Sequence, residues 1–206
     1  MITVFTPAYN RAHLLPRLYE SLCKQTYKDF EWVVVDDGSV DNTSSVVEQF
    51  SVLGFQFLGN EVQSSDSKTQ DSKLNTNNIR YFYQENGGKH RAINRGVKEA
   101  KGELFFIADS DDMLPPDALE IVARQYEGIK DDKSYAGVCG LDATFDGKII
   151  GSGLPFGVID DTSIVIRHKY GVSGDMKEVF RTDVLKEFPF PEIIFRVIRP
   201  RNKYKK

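Results

Sequence analysis

Apolar and amphipathic segments alternate along the first 128 residues. Segments of β-branched and aromatic residues, each predicted to be a strand, lie at 2–6, 30–36, 79–83 and 103–108. Segments with helical apolar spacing or helix-capping residues follow at 12–25, 41–50, 89–100 and 115–128. This alternation is typical of an α/β protein with a Rossmann-like, doubly wound and mostly parallel sheet.

The pattern becomes irregular after residue 130. Asp146 and Gly147 form a two-residue hairpin signal between the apolar segments 136–145 and 148–150. Further short elements are predicted as strands at 164–167 and 178–180 and as a helix at 181–187. We therefore expect a smaller, irregular α+β portion beside the α/β half.

Length and composition suit a single domain. The chain has 206 residues, of which 40% are hydrophobic and 28% are charged, as in soluble globular proteins. We expect one domain at 1–192, with a first half at about 1–112 and a second half at about 113–192. Residues 59–78 are polar and lack apolar anchors, which predicts a surface insertion that is either tolerated or a functional lid.

The charge is unevenly distributed. Every acidic residue lies at or before Glu192, whereas residues 196–206 contain six lysines and arginines. The acidic body argues against nucleic-acid binding. For the basic tail at 193–206, one hypothesis is peripheral contact with an anionic membrane surface. The other is a disordered end without function, which Pro200 favours because proline interrupts a helix.

Membrane-spanning and secreted classes do not fit the sequence. No apolar run approaches the ~20 residues of a membrane-spanning helix. Because the first residues contain no basic segment, we expect no signal peptide and predict a cytoplasmic location, with contact at the inner face of the membrane as the tail's alternative. Cys23 and Cys139 make no disulfide framework, and each is predicted to be buried in a reducing compartment.

Polar clusters follow three of the predicted strands, at residues 6–11, 36–39 and 109–112. The carboxyl ends of parallel strands share one edge of a sheet, and open α/β sheets bind ligands there. We therefore expect the three clusters to form one site.

Asp109 and Asp111 are the strongest candidates for a metal site. They are two residues apart, so in extended backbone their carboxylates point to the same side. Adjacent carboxylates repel each other unless a cation lies between them, and hard oxygen ligands favour Mg²⁺ or Mn²⁺. The alternative is a solvated acidic turn before the helix at Pro115. The position after the fourth strand favours the metal site.

Three other features each leave two interpretations open. Asp36 and Asp37 either bind a base or ribose or end their strand in a turn. Tyr9 either stacks on a nucleobase or packs within its loop. Residues 86–91 either bind phosphate at a helix start or form a glycine-opened helix with exposed charges.

Taken in order, these segments resemble glycosyltransferase family 2, whose members have the GT-A fold of nucleotide-diphospho-sugar transferases. The resemblance covers about residues 1–190 and is carried by the segments 6–11, 25–27, 30–39, 86–96, 102–103 and 109–112. It implies inverting, metal-dependent transfer of a sugar, often from a UDP-sugar, to a saccharide or lipid-linked acceptor. The first half would bind the nucleotide and the second half the acceptor.

The resemblance also implies roles for individual residues. Mn²⁺ or Mg²⁺ would bind Asp111 together with Asp109, while Asp37 would hold the base and Lys89 would contact the diphosphate. The residues implied to contact the nucleotide-sugar are Thr6, Pro7, Ala8, Tyr9, Arg11, Asp37, Lys89, Asp109 and Ser110. The metal would neutralise the leaving diphosphate.

The catalytic base has no motif of its own in this sequence. Similar proteins continue from a stretch like residues 188–192 into an acidic segment, whereas this chain continues into its basic tail. Asp175 is the best candidate base, and the alternative is a turn residue ahead of a strand. Without a base, the chain would be a nucleotide-sugar-binding protein that does not transfer. A sugar-phosphate nucleotidyltransferase is disfavoured, because residues 8–10 do not form a glycine-rich basic loop.

Overall fold

The computed structural model describes residues 1–53, 78–155 and 157–192. The predicted tail at 193–206 lies outside the described residues, as does all of the predicted insertion at 59–78 except Asn78. In chain order, the elements are β1 (Ile2–Ala8), α1 (Leu15–Cys23), β2 (Phe30–Asp37), α2 (Thr43–Leu53), β3 (Ile79–Gln84), α3 (Lys89–Glu99), β4 (Leu104–Ile107), α4 (Ala118–Glu127), β5 (Gly137–Leu141), α5 (Ser163–His168), β6 (Met176–Arg181) and α6 (Thr182–Glu187).

The described strands form a mixed sheet in the order β3-β2-β1-β4-β6-β5. Strands β1 to β4 are mutually parallel, and β6 runs antiparallel to both β4 and β5. The strand order reverses between β1 and β4, because the chain adds β2 and β3 on one side of β1 and β4 on the other. Such a switch point leaves a crevice beyond the carboxyl ends of the strands, where open α/β sheets bind ligands.

Both faces of the parallel region are covered, which explains why β2 is buried along its whole length. On one face, helices α1, α2 and α4 bury a cluster that contains Trp32, Tyr19 and Phe50. The Tyr19 and Phe50 rings stack with their centroids 4.3 Å apart. On the other face, α3 and α6 cover a second cluster that contains Phe5 and Phe105.

The second half departs from the sequence expectation in two places. Residues 164–167 were expected to form a strand, and this is wrong because they lie in helix α5. The Thr162 side chain accepts a hydrogen bond from the Val165 amide at 3.3 Å, and this helix cap outweighs the β-propensity of the segment. Cys23 is buried as predicted, but Cys139 is exposed, because it lies on the edge strand β5.

The other short elements of the second half agree with the sequence. Strand β6 contains the predicted strand 178–180, and α6 corresponds to the predicted helix. The predicted hairpin is a tight turn in which Gly147 has a φ of 84° and one bridge joins Ala143 to Ile149. None of the helices in the described ranges has the length and hydrophobicity needed to cross a bilayer.

Candidate functional site

The three polar clusters do meet at one edge of the sheet. They follow the carboxyl ends of the parallel strands β1, β2 and β4. The antiparallel strand β6 begins at this edge, because its pairing of Val179 with Phe106 places Met176 beside the end of β4. Strand β5 ends here too, since Leu141 pairs with Met176. Chain segments far apart in sequence therefore contribute to a single surface at the switch point.

The segment after β1 presents only some of its predicted contacts to solvent. Tyr9 is 50% exposed, Arg11 is exposed and Pro7 is half-buried. Thr6 is buried and its hydroxyl accepts a hydrogen bond from the Trp32 indole at 2.9 Å. Ala8 is also buried, within the core. Because the side chains of Thr6 and Ala8 are buried, only their main-chain groups are left for the predicted contacts with the nucleotide-sugar.

Asn10 fixes the loop that carries Tyr9, a role that was not predicted from the sequence. It adopts a left-handed conformation with a φ of 56°. Its side-chain oxygen accepts from the Val40 amide at 2.9 Å, and its own amide donates to the Ser39 hydroxyl at 2.8 Å. These bonds join the loops after β1 and β2. Asparagine tolerates this backbone conformation better than most residues, which is the sequence signal that could have identified it.

Asp36 has a structural role at the end of β2. It is 1% exposed, and its carboxylate accepts hydrogen bonds from the Tyr81 hydroxyl at 2.6 Å and from the Ser39 amide at 2.8 Å. Burial, together with the hydrogen bond to Asp36, raises the pKa of Tyr81 well above its usual value. Of the two interpretations for Asp36, the strand-ending turn describes the structure.

Asp37 braces the start of helix α3. Its carboxylate accepts from the Gly87 and Gly88 amides at 3.0 and 2.7 Å and from the Gln84 amide group at 2.7 Å. Gly88 has a φ of 93°, which lets the chain turn into the helix directly before Lys89. Three of about four acceptor positions of a carboxylate are thus used, leaving one for a ligand. The predicted contact of Asp37 with a base stays a prediction.

Lys89 and Asp109 meet across the crevice. The Lys89 ammonium lies 2.6 Å from a carboxylate oxygen of Asp109, although Lys89 begins α3, after β3, and Asp109 follows β4. Both side chains are partly exposed, at 56% and 35%. The structure thus brings together the predicted phosphate ligand and the predicted metal ligand, in a place where solvent or a small molecule can reach both.

The segment 109–112 is a compact turn. The Asp109 amide donates to the Asp112 carboxylate at 2.9 Å, and the Asp112 amide donates to the Asp109 carbonyl at 3.0 Å. Ser110 is buried and Asp111 is exposed. Arg17 of helix α1 donates to the Asp111 carbonyl, so the main chain is fixed while the Asp111 carboxylate faces solvent without a hydrogen bond to any described residue.

Residues of the second half extend this acidic edge, and the sequence analysis identified only Asp175 among them. Lys177 lies between two carboxylates, 2.7 Å from that of Asp112 and 4.0 Å from that of Asp142. Burial raises the pKa of Asp142, and the charges of Asp112, Asp175 and Asp109 raise it further. Asp175 is itself exposed, directly before β6. The spacing of Asp112, Asp142 and Lys177 along the chain does not predict this cluster, because the pairing of strands brings these residues together.

The donor set at this edge suits a hard divalent cation that arrives with its own ligands. Within the described ranges, no three His, Cys, Asp or Glu side chains are grouped to hold a metal. Asp109 and Asp111 nevertheless offer carboxylate oxygens on one turn. Mg²⁺ and similar ions are commonly held by one or two carboxylates and completed by substrate phosphates and water.

The fold is similar to that of several solved structures. TarS of S. aureus, residues 1–349 in complex with UDP, aligns with a TM-score of 0.60 and 24% identity over 93% of this chain and 50% of that one. The mannosyltransferase PcManGT from Pyrobaculum calidifontis, in complex with GDP-Man and Mn²⁺, aligns with a TM-score of 0.56 and 20% identity over 93% and 47%. At these identities, the likeness establishes the fold, which is GT-A with a Rossmann-like sheet.

Two sequence relatives match 62% and 74% of this chain. Glycosyltransferase GlyG of Streptococcus pneumoniae serotype 4 is 34% identical over 62% of this chain and 35% of its own length. The chondroitin synthase of Pasteurella multocida is 32% identical over 74% of this chain and 14% of its own. The chain therefore spans only a minor part of these relatives. Residues 3–140 match the sequence model of glycosyl transferase family 2, and because this is about two thirds of the chain, the protein belongs to that family.

Proposed function

We propose that the chain binds a nucleotide-diphospho-sugar at the switch point and acts in an inverting, metal-dependent glycosyltransferase, with a UDP-sugar as the donor. The observation that carries the proposal is the approach of Lys89 to Asp109 at 2.6 Å, beside the exposed carboxylate of Asp111. This places a cation and two hard anions at the position where open α/β sheets bind ligands. The complexes of TarS with UDP and UDP-GlcNAc support a uridine nucleotide.

The nucleotide would occupy the crevice between the loops after β1 and β2. Tyr9 offers an exposed aromatic face for stacking on the base, and Asp37 offers its remaining acceptor position to a base N–H group. Arg11 and the main chain of residues 6–8 would complete this part of the site. The loop is already ordered by Asn10, so little conformational entropy is lost when the nucleotide binds.

The diphosphate would lie between Lys89 and the turn 109–112. Lys89 would exchange its bond to Asp109 for one to a phosphate oxygen, which releases the Asp109 carboxylate. Asp109 and Asp111 would then hold Mn²⁺ or Mg²⁺, and the ion supplies charge neutralisation for the leaving diphosphate when bound. The Mn²⁺ in the complex of PcManGT supports a divalent ion in this fold.

Asp175 would act as the general base for transfer. Its carboxylate takes the proton of the acceptor hydroxyl, whose oxygen forms a bond to the anomeric carbon on the face opposite the diphosphate. The bond between that carbon and the diphosphate oxygen breaks, and the nucleoside diphosphate leaves. Asp175 is exposed at the same edge as Asp109, and it is close enough to Asp142 to raise the pKa of that group.

The acceptor would be a saccharide or a glycolipid of cell-envelope polysaccharide synthesis. The chondroitin and hyaluronan synthases of Pasteurella multocida, each matching 74% of this chain, support polysaccharide assembly. The second half would contact the acceptor, since it lies beside the donor crevice and exposes apolar side chains such as Phe145 and Val158. Peripheral membrane contact through the tail stays a prediction outside the described residues.

A thermal-shift series tests donor binding. UDP should raise the unfolding temperature more with Mn²⁺ than without it, and Asp111→Asn should abolish the difference. Asp117→Asn is the matched control, because Asp117 is also exposed and its side chain caps no helix amide. An Asp111→Asn protein that keeps the full metal-dependent shift would contradict the assigned metal ligands, and the absence of any nucleotide shift in the wild type would contradict the donor site.

Asp175→Asn separates binding from transfer. We expect it to keep UDP binding and to lose at least about 100-fold in donor turnover, since a positioned general base contributes roughly 10²–10⁴-fold. Turnover is measured as nucleoside diphosphate release from a panel of UDP- and GDP-sugars with saccharide acceptors. Unchanged turnover in the variant would rule out Asp175 as base. Donor binding by the wild type with no turnover would favour the alternative of a binding protein that does not transfer.

A further inference from the structure

A cavity of about 270 Å³ lies at the edge of the sheet opposite the donor crevice. It is lined by residues that precede β4, including Gly102 and Glu103, and by residues at the end of β6. Asp109 follows the other end of β4, five residues beyond Leu104, so the two sites are about 16 Å apart along the strand at ~3.3 Å per residue. The cavity is thus separate from the proposed donor site.

The cavity is rich in positive charge, although the body of the chain is acidic. Its lining includes Lys101, Lys133, Lys186 and Arg181, against the two acidic side chains of Glu103 and Asp183. The three lysines are exposed, so their ammonium groups can move toward a ligand. Such a concentration of cations on a net acidic protein favours an anionic ligand.

Arg181 gives the cavity a buried positive charge whose hydrogen bonds are incompletely satisfied. The residue is only 4% exposed, and its Nε and Nη2 donate to the Asp183 carboxylate at 3.0 and 2.5 Å. Its Nη1 is buried and has no hydrogen-bond partner within the described residues. The Asp183 carboxylate therefore satisfies the guanidinium only in part, and the charge of Arg181 adds to the positive potential of the cavity that the residue lines.

Hydrogen bonds hold the backbone around Arg181, so its charge has a defined position beside the cavity. The Arg181 amide donates to the Ala136 carbonyl at 2.7 Å, and the Thr182 amide donates to the Glu103 carbonyl at 2.8 Å. The Thr182 hydroxyl also donates to the Gly102 carbonyl at 2.7 Å. The strands β4 and β6 therefore hold the arginine in place before any ligand arrives.

We propose that this cavity is a second anion site that binds a phosphate group, either free phosphate or the terminal phosphate of a small metabolite. Lys133 and Lys186 would donate to the phosphate oxygens, and the buried guanidinium of Arg181 would contribute its positive charge from the wall of the cavity. Pockets for drug-sized ligands span roughly 300–1,000 Å³, so a cavity of about 270 Å³ suits a phosphomonoester better than a nucleotide-sugar. Occupancy would tie β6 to the start of β4 and stabilise the folded chain.

Titration of the full chain with inorganic phosphate tests the site, with chloride at equal ionic strength as the reference. We expect phosphate to raise the unfolding temperature of the wild type, and Lys133→Ala/Lys186→Ala to weaken the phosphate affinity at least tenfold. The control pair Lys24→Ala/Lys148→Ala removes two exposed lysines outside the cavity and should leave the affinity unchanged. Equal responses to phosphate and chloride, or equal losses in both double variants, would overturn the proposal.

A competition experiment distinguishes phosphate binding in the cavity from phosphate binding at the proposed donor site. Saturating UDP with Mg²⁺ should leave phosphate binding unchanged, and Asp111→Asn should bind phosphate as the wild type does. Displacement of phosphate by UDP would place it at the donor site and overturn the proposal, whereas failure of UDP to bind would affect only the proposed function. Glycerol 1-phosphate identifies the source: tenfold tighter binding than phosphate supports a metabolite, and equal binding supports the free ion.

Discussion

The two halves of the molecule are stabilised in different ways. In the first half, β2 is buried along its whole length between two layers of helices. In the second half, β5 has no buried residue and the turn at Gly147 is supported by one bridge. Large apolar side chains such as Phe145 and Ile164 are 72% and 70% exposed. The first half therefore has a packed scaffold, whereas much of the second half depends on hydrogen bonds between residues close together in the chain.

This difference suits the chemistry proposed for each half. A diphosphate and a metal ion need ligands held within fractions of an ångström, which a packed sheet can supply. Surface loops tolerate sequence change better than packed strands, so one donor scaffold can serve different acceptors. The comparison predicts that substitutions in the two halves will differ in their effects on stability and on donor binding.

Truncation of a core aromatic in the first half should give the largest effect. Phe5 is fully buried and stacks on Phe105 with ring centroids 5.0 Å apart. Helix α3 also packs directly against it, since a Cβ added at Gly96 would lie 2.2 Å from the Phe5 ring. We expect Phe5→Ala to lower the free energy of unfolding by about 3–5 kcal/mol, as measured by urea denaturation.

Ile164→Ala is the matched substitution in the second half. The residue is 70% exposed at the start of α5, and alanine is a better helix former, so we expect a change below about 0.5 kcal/mol. Equal losses for Ile164→Ala and Phe5→Ala would contradict the comparison between the halves.

Asp37→Asn should have the next largest effect and should act on both stability and donor binding. The variant replaces one carboxylate oxygen by an NH₂ group, which cannot accept from the amides of Gly87 or Gly88. We expect a loss of about 2 kcal/mol in unfolding free energy, the scale of hydrogen bonds to a charged group. UDP affinity should fall as well, because the start of the helix at Lys89 loses a hydrogen bond that holds it in place.

Calorimetric titration with UDP and Mn²⁺ measures the second effect. Asp131→Asn is the control, since Asp131 is exposed in the second half, in the segment between α4 and β5. If Asp37→Asn lost affinity without losing stability, direct contact with the nucleotide would explain its role better than support of the helix.

Asn94→Ala tests the contact between residues 190–192 and helix α3 of the first half. Asn94 is 7% exposed, and it donates to the Phe190 carbonyl and to the Glu192 carboxylate, each at 2.9 Å. It also accepts from the Phe190 amide at 2.9 Å. We expect a loss of about 1–2 kcal/mol, against less than about 0.5 kcal/mol for Lys98→Ala on the exposed side of the same helix. Equal losses in a denaturant titration would mean that these bonds add little.

Most of the first half could be predicted from the sequence because its signals are local and agree with one another. Continuous apolar segments predicted the buried strands, and the polar residues that end them predicted the edge where Asp109 and Lys89 meet. The sequence also predicted the boundary between the halves, since the apolar pattern becomes irregular where few side chains are buried. The β-branched residues of the segment 164–167 predict a strand, whereas the Thr162 cap makes it a helix.

The rest of the site could not be predicted because it depends on strand pairing. Lys177 lies beside Asp112 and Asp142 only because β6 runs antiparallel to both β4 and β5. No spacing in the sequence specifies that register. Asp37 was predicted as a ligand for a base, while its three hydrogen bonds to the start of α3 became visible only in the structure.

The smallest expected effect concerns pH and separates two carboxylates of the second half. Burial, with the neighbouring charges of Asp112 and Asp175, raises the pKa of Asp142, so the folded state binds its proton more tightly than the unfolded state does. Stability from this group is therefore present below the ordinary aspartate pKa and is lost as the pH rises through the raised value. Asp142→Asn should flatten this part of the stability profile and should gain relative to the wild type at neutral pH.

Asp146 should show the opposite sign, because hydrogen bonds from the Thr144 hydroxyl and from main-chain amides lower its pKa. Its contribution is present above the ordinary aspartate pKa and is lost as the pH falls through the lowered value. Asp146→Asn should therefore lose stability at neutral pH and match the wild type in strong acid. Urea denaturation between about pH 3 and pH 7 resolves the two profiles. If the two variants had parallel profiles, the pKa values of Asp142 and Asp146 would not be shifted in opposite directions. The neighbouring carboxylates would then affect Asp142 no more than the exposed turn affects Asp146.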